Sequence, residues 1–170
     1  GKLPEQLRCG IVGVGHVGAE VLRRFRALGC VTLACDPPRQ ESGDPLTYDF
    51  EGLSALSSCD VVSLHVPLNS FGRHKTAGLI DGEFLGALPE GALLINTSRG
   101  GVLNEREATH TLTLRKDIHL VLDVFEGEPR AEPDLVSVTH LITPHLAGSS
   151  PRAQHLAARQ VAHALMGGVE

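Results

Sequence analysis

Short apolar runs alternate along the chain with longer polar or amphipathic stretches. Ile11, Val12 and Val14, then Val31–Cys35, Val61–Leu64, Ala92–Ile95, His119–Val124 and Leu141–Thr143 are mainly aliphatic, without strict apolar–polar alternation. Such runs belong to strands covered on both faces. Between them, the spacing predicts a helix over Val17–Leu28, a short helix over Phe50–Leu56, a helical turn through Leu85 and Leu88, and a helix over Val102–Leu114. Thr109, Thr111 and Thr113 are weak helix formers within the last of these. The Pro-, Gly- and charge-rich stretch from position 37 to 48 reads as a loop. In the tail from 151 to 166, Ala153, Ala157, Val161 and Leu165 recur every fourth residue, a helical stripe. Strands alternating with helices predict an α/β fold: a doubly wound parallel sheet with helices on both faces.

At 170 residues, the chain is expected to form one domain, 1–170, burying roughly 70% of its unfolded surface. A net charge of −5 argues against a nucleic-acid surface. Arg23, Arg24 and Arg26 share a helical segment and read as a solvated face. No apolar stretch approaches the ~20 residues that span a bilayer, so no membrane partner is expected. Cys9, Cys30, Cys35 and Cys59 form no C-x-x-C pair and lie in or beside apolar runs. Buried free thiols in a reducing, cytoplasmic setting are the expectation. The start, Gly-Lys-Leu-Pro-Glu, has neither a signal-peptide pattern nor an initiating methionine, as expected of a segment of something longer.

The densest chemistry lies where the first strand meets the first helix. Gly13, Gly15 and Gly18 form G-x-G-x-x-G, and Asp36 ends the next apolar run. In a strand–turn–helix setting this is the phosphate-binding turn of a dinucleotide fold. Backbone N–H groups at the helix start, that of His16 among them, face the pyrophosphate. A carboxylate at the second strand tip accepts the ribose diol and opposes a 2′-phosphate, which favours NAD. Arg39, three residues on, argues for NADP; the place of Asp36 at the strand tip weighs more.

In open parallel sheets, ligands sit outside the carboxyl ends of the strands. That rule gathers Gly13–Gly18, Asp36, His65–Pro67, Asn96–Gly100, Asp123–Glu128 and Thr143–Gly148. Among these, His145 suits a proton acceptor working near neutral pH. Arg99 suits a paired grip on a carboxylate, and Glu128 suits the support of an imidazolium. His74, His110, His119, His140, His155 and His163 receive no role, and no zinc-ligand spacing occurs, so no metal is expected.

These residues resemble the D-2-hydroxyacid dehydrogenase family. The resemblance rests on Gly10–Gly18, Cys35–Arg39, Ser63–Leu68, Leu94–Gly100, Val121–Pro129 and Thr143–Gly148, in unbroken order over nearly the whole chain. The Cys35-Asp-Pro-Pro-Arg39 run points to the branch acting on 4-phospho-D-erythronate, in pyridoxine biosynthesis, rather than to phosphoglycerate or lactate relatives. The resemblance implies a Rossmann-like NAD-binding domain that lacks its substrate lobe, with residues 150–170 a helix returning toward that lobe. It implies Arg99, Glu128 and His145 as catalytic residues, with Arg99, His145 and Ser149 at the substrate. It implies NAD contacts from Gly13, Gly15, His16, Val17, Gly18, Asp36, His65, Val66, Pro67, Thr97, Ser98, Arg99, Asp123 and Gly148. The implied partners are NAD and a phosphorylated 2-hydroxy acid, with the full-length protein a homodimer. Ser149 stands where that branch carries a tyrosine, so a phosphoglycerate or general D-2-hydroxyacid dehydrogenase is the alternative within the family. A non-catalytic NAD-sensing module of the corepressor kind is the alternative outside it.

Overall fold

The computed structural model describes residues 1–43, 49–151 and 155. Its strands are β1 (Arg8–Val12), β2 (Val31–Cys35), β3 (Val61–Leu64), β4 (Leu93–Asn96), β5 (His119–Leu122) and β6 (Leu141–Ile142). They form one sheet of order β2-β1-β3-β4-β5-β6, and every pairing is parallel. Each apolar run supplied one strand. Parallel neighbours need crossovers, provided by α1 (His16–Ala27), α2 (Pro37–Ser42), α3 (Gly82–Ala87), α4 (Glu105–Leu114) and α5 (Pro133–Val138).

Alternate side chains of β1 divide the core. Ile11 packs with Val14, Leu22 of α1 and Ala34 on one face. Val12 belongs on the other to a larger cluster that runs through Leu56, Phe84 and Leu85 of α3, Ala108 and Leu112 of α4, and Leu135 of α5. Helices therefore lie on both sides of the sheet, as a doubly wound fold requires.

Three sequence expectations need correction. The stretch after Asp36 opens with α2 rather than a loop. Asp36 is its N-cap, accepting the Arg39 N–H, and Pro37 and Pro38 occupy the first turn, where a missing N–H costs nothing. Phe50 is not helical; it makes a parallel bridge to Ala34 beside β2, and a 3₁₀ turn covers Leu53–Ser58. The fourth helix starts at Glu105, capped by Asn104, not at Val102. Helix α5 had no counterpart in the sequence reading. The expected tail stripe (Ala153, Ala157, Val161, Leu165) lies outside the described residues.

Register then places the site. Cys35, Val12, Leu64, Asn96, Leu122 and Ile142 form one row across the sheet. The residues that follow them are Asp36, Gly13, His65, Thr97, Asp123 and Thr143. All six strand tips thus open on one edge. The chain leaves β1 for β2 on one side and β3 on the other, which puts the topological switch point, the usual ligand crevice, at Gly13 and His65.

Candidate functional site

The glycine turn is built by close packing. Gly13 has φ +84°, and a Cβ there would lie 2.6 Å from the His65 carbonyl oxygen; a Cβ on Gly18 would lie 1.9 Å from the Gly13 carbonyl oxygen. A Cβ on Gly15 would meet nothing within 4 Å. The two outer glycines let strand, turn and helix touch, while the middle one opens on space. Gly15, His16 and Val17 are exposed at the start of α1, where free N–H groups and the helix dipole favour an anion.

Asp36 does two structural jobs. Its Oδ2 accepts the Val14 N–H at 2.7 Å and its Oδ1 accepts the Arg39 N–H at 3.2 Å. A carboxylate has about four acceptor positions, so lone pairs remain for a diol. The Arg39 guanidinium donates to the Val14 carbonyl. A cleft of about 460 Å³ opens here, lined by Gly13, Gly15, Asp36, Arg39, His65 and Val66 among others. Arg73, His74 and Lys75 line it too, from the loop after β3. His74, which the sequence left without a role, is therefore at the cleft. Glu41 of α2 meets Arg73 at 2.9 Å and His74 at 3.2 Å, joining the two walls. His65 bonds Ser63 Oγ through Nε2 at 2.9 Å, and burial pushes its imidazole down from the ordinary value, toward the neutral form.

The other half of the edge carries an imidazole–carboxylate pair. Nδ1 of His145 lies 2.8 Å from Oε2 of Glu128, and Oε1 of Glu128 accepts the Phe125 N–H at 3.2 Å. The hydrogen bond from His145 holds the Glu128 carboxyl below its ordinary value, against a smaller effect of burial. Both side chains remain partly exposed, 48% and 32%. His145 sits at φ +55°, a left-handed conformation costly for a side chain with a Cβ. It is held there by Asp123. The His145 N–H donates to the Asp123 carbonyl at 2.9 Å, and the buried Asp123 carboxylate accepts from Thr143 Oγ1, Leu146 N and Ala147 N. Burial alone would raise the Asp123 carboxyl; these three donors outweigh it and lower it. Ser149 and Gly148 follow, exposed, at the end of this loop. The peptide bond between Glu128 and Pro129 is cis.

Arg99 extends from the tip of β4 and is exposed, its Nη1 donating to the Ser98 carbonyl at 2.6 Å. Its loop is held by Asn96, which the strand-tip rule gathers at this edge but to which the sequence assigns no role. Asn96, 1% exposed, accepts both the Ser98 N–H and hydroxyl on Oδ1 and donates Nδ2 to the Arg99 carbonyl. An amide ending an apolar strand was the available signal. Ser98 is buried with that hydroxyl committed to Asn96. Thr97 is half-buried.

Nothing among the described residues groups three or more His, Cys, Asp or Glu in a way that could hold a metal ion. No described helix is long and apolar enough to cross a membrane. All four cysteines are free and buried.

Comparison with known proteins agrees with this picture. Residues 1–147 match the family described as D-isomer specific 2-hydroxyacid dehydrogenase, NAD binding domain. The chain is 43% identical over 142 residues to the erythronate-4-phosphate dehydrogenase of Edwardsiella ictaluri, a match covering 83% of this chain and 37% of that protein. Its fold is similar to that of the Aquifex aeolicus D-lactate dehydrogenase complexed with NAD and lactic acid. The TM-score is 0.75 at 25% identity, over 98% of this chain and 55% of the other. It is also similar to an NADPH-dependent glyoxylate/hydroxypyruvate reductase of Sinorhizobium meliloti, with TM-score 0.79 at 25% identity over 95% of this chain and 50% of the other. The chain thus spans about two fifths to one half of the proteins it matches.

Proposed function

This chain belongs to the D-isomer specific 2-hydroxyacid dehydrogenase family, as its NAD-binding domain, and from that premise we propose that the whole protein oxidises a 2-hydroxy acid to the 2-oxo acid. The observation that carries this reading is the His145–Glu128 pair, on the same sheet edge as the glycine turn and Arg99. NAD fits the cleft: Gly15 leaves open space at the helix start, and Asp36 keeps free lone pairs at the second strand tip. When bound, NAD supplies the two-electron acceptor.

The residues of the chain do the rest. Nδ1 of His145 faces Glu128, which leaves Nε2 to take the hydroxyl proton. The Glu128 charge stabilises the imidazolium that results. Arg99 grips the carboxylate next to the reacting carbon. The substrate we propose is 4-phospho-D-erythronate. It is supported by the relative of that name and by the Cys35-Asp-Pro-Pro-Arg39 run, with Ser149 near the substrate. The proposed assembly of the whole protein is a homodimer.

The test is turnover by the whole protein with NAD and, in parallel, 4-phospho-D-erythronate, 3-phosphoglycerate and D-lactate. The first should be preferred. His145→Asn should lower kcat by about 10²–10⁴ while NAD binding persists. Binding of NAD by the unaltered protein without turnover of any 2-hydroxy acid would support the sensing alternative and overturn this reading.

A further inference from the structure

The turn Phe125–Glu128 carries Glu128, and something must fix it, since Glu126, Gly127 and Glu128 are all exposed. Two consecutive N–H groups of this turn are each taken by a carboxylate. Phe125 N–H goes to Glu128 itself, at 3.2 Å. Glu126 N–H goes to Oε1 of Glu105, at 2.6 Å. Glu105 is the first residue of α4 and half-buried. On its other side the turn is wedged against the Arg99 loop: a Cβ on Gly100 would lie 2.3 Å from the Phe125 carbonyl oxygen. The segment that leaves Arg99 and enters α4 therefore returns, through Glu105, to the turn that aims Glu128 at His145.

We infer that Glu105 is a positioning residue for the proton-transfer pair: by accepting the Glu126 N–H it fixes the turn in which Glu128 presents one oxygen to His145. This rests on the proposed roles of those two residues. Glu105 is not assigned an acid or base role itself, because the bond it makes is to the backbone of the turn.

The electrostatics around Glu105 make the bond a costly one to keep. Burial, together with the charges of Glu126, Glu128 and Glu132, pushes the Glu105 carboxyl up from its ordinary value, and the Glu126 N–H opposes that. The adjoining cleft adds Asp134, with Arg106 and the imidazole of His110 facing them, and Asp123 lies beneath the His145 loop. A carboxylate retained among so many like charges is explained by the donor it satisfies.

Carbon-13 titration of the Glu128 carboxyl, assigned with Glu128→Gln, separates positioning from charge because the two act with opposite sign. Glu105→Ala frees the turn, so the Glu128 midpoint should rise toward the ordinary glutamate value as its hydrogen bond from His145 loosens. Exchange of the Glu126 amide should quicken about tenfold or more. Glu105→Gln keeps an acceptor oxygen and removes a negative charge. It should preserve amide protection and leave the Glu128 midpoint low or lower still. In the whole protein, turnover should fall with Ala and be largely restored with Gln. Identical Glu128 titrations in all three proteins, or Ala and Gln moving it together, would overturn the inference. Because the titration needs no substrate, it stands apart from the turnover test: loss of the dehydrogenase reading leaves its outcome unchanged.

Discussion

His145 stands on Asp123. The main chain of Asp123 accepts the His145 N–H at 2.9 Å, while its carboxylate takes the residues on both sides of the histidine, Thr143, Leu146 and Ala147. An imidazole at positive φ is kept in place by a buried acid beneath it.

Removing that acid should be felt in stability first. Asp123→Ala deletes three hydrogen bonds to a charged group, which places the cost at about 2–3 kcal/mol. Asp123→Asn should cost less, since its amide oxygen still accepts while its NH₂ faces N–H donors. Urea unfolding of the chain measures both, and an Ala variant within about 0.5 kcal/mol of the parent would show that the loop holds its shape without Asp123.

The three shifted carboxyls around the candidate site contribute two limbs to the pH dependence of stability, and Glu20, Asp60 and Asp117, also lowered in the folded state, add to the acid one. Asp123 and Glu128 are lowered in the folded state. Between their folded and unfolded values the unfolded chain binds more protons, so stability falls as pH drops below about 4. Glu105 is raised, so its sign is opposite: its penalty is present at neutral pH and is relieved as pH falls through its folded value toward its unfolded one. The expected profile rises gently from neutral to mildly acidic pH, then falls. Unfolding measured from pH 3 to pH 8 tests this; Glu105→Gln should flatten the first limb, and Asp123→Asn should make the second shallower.

Within the glycine turn, neighbouring positions should respond in opposite ways. Gly18→Ala drives a Cβ into the Gly13 carbonyl and cannot be relieved by a rotamer, so a loss of about 2–4 kcal/mol is expected. Gly15→Ala meets open space at an extended φ of −71°, and stability should hold within about 0.5 kcal/mol. Its methyl would stand where an anion approaches the helix start, so NAD affinity should fall by an order of magnitude, which is about 1.4 kcal/mol. Thermal unfolding and NAD titration on the same two variants distinguish the roles.

The contrast between those glycines shows what a sequence exposes. Their spacing, with Asp36 at the next strand tip, is a local signal, and so were the apolar runs that became the six strands. Residues following each run were legible as site candidates because parallel strands carry their tips to one edge. Contacts between distant segments were not legible. Glu105 looked like any helix-opening acid, and nothing local joins it to Glu126, 21 residues on. Asp123 was read as a cofactor contact alone, since its hold on residues 143–147 depends on the β5–β6 pairing. Helix α2 was missed because two prolines read as a loop breaker, although an aspartate before prolines is also a helix start.

The buried thiols give a simpler test. Cys9 and Cys59 are fully inaccessible, and burial, reinforced for Cys9 by Cys30, Cys59 and Asp60, pushes their thiols up to about 12 and about 11. The thiolate is the reactive form, so native chain should resist aromatic disulfide reagents at pH 8 and yield all four thiols once unfolded. Rapid labelling of Cys9 or Cys59 in the native state would contradict the packing under β1.

On the proposed reading, cofactor preference turns on Asp36, which lines the cleft at the second strand tip. Arg39, Arg73, His74 and Lys75 line the same cleft; Arg73 and His74 are engaged by Glu41, and Arg39 by the Val14 carbonyl. Asp36→Ala should weaken NAD binding by about tenfold or more, the loss of one to two hydrogen bonds to a charged acceptor. It should also destabilise the chain by about 1–2 kcal/mol, since the cap on α2 and the Val14 bond go with it. The same change removes the only carboxylate among those lining residues, so NADP affinity should rise relative to NAD. Titrating both cofactors into the parent and the variant reads the ratio directly. A ratio unmoved by the substitution would assign Asp36 to the glycine turn and α2 alone, with no part in reading the ribose.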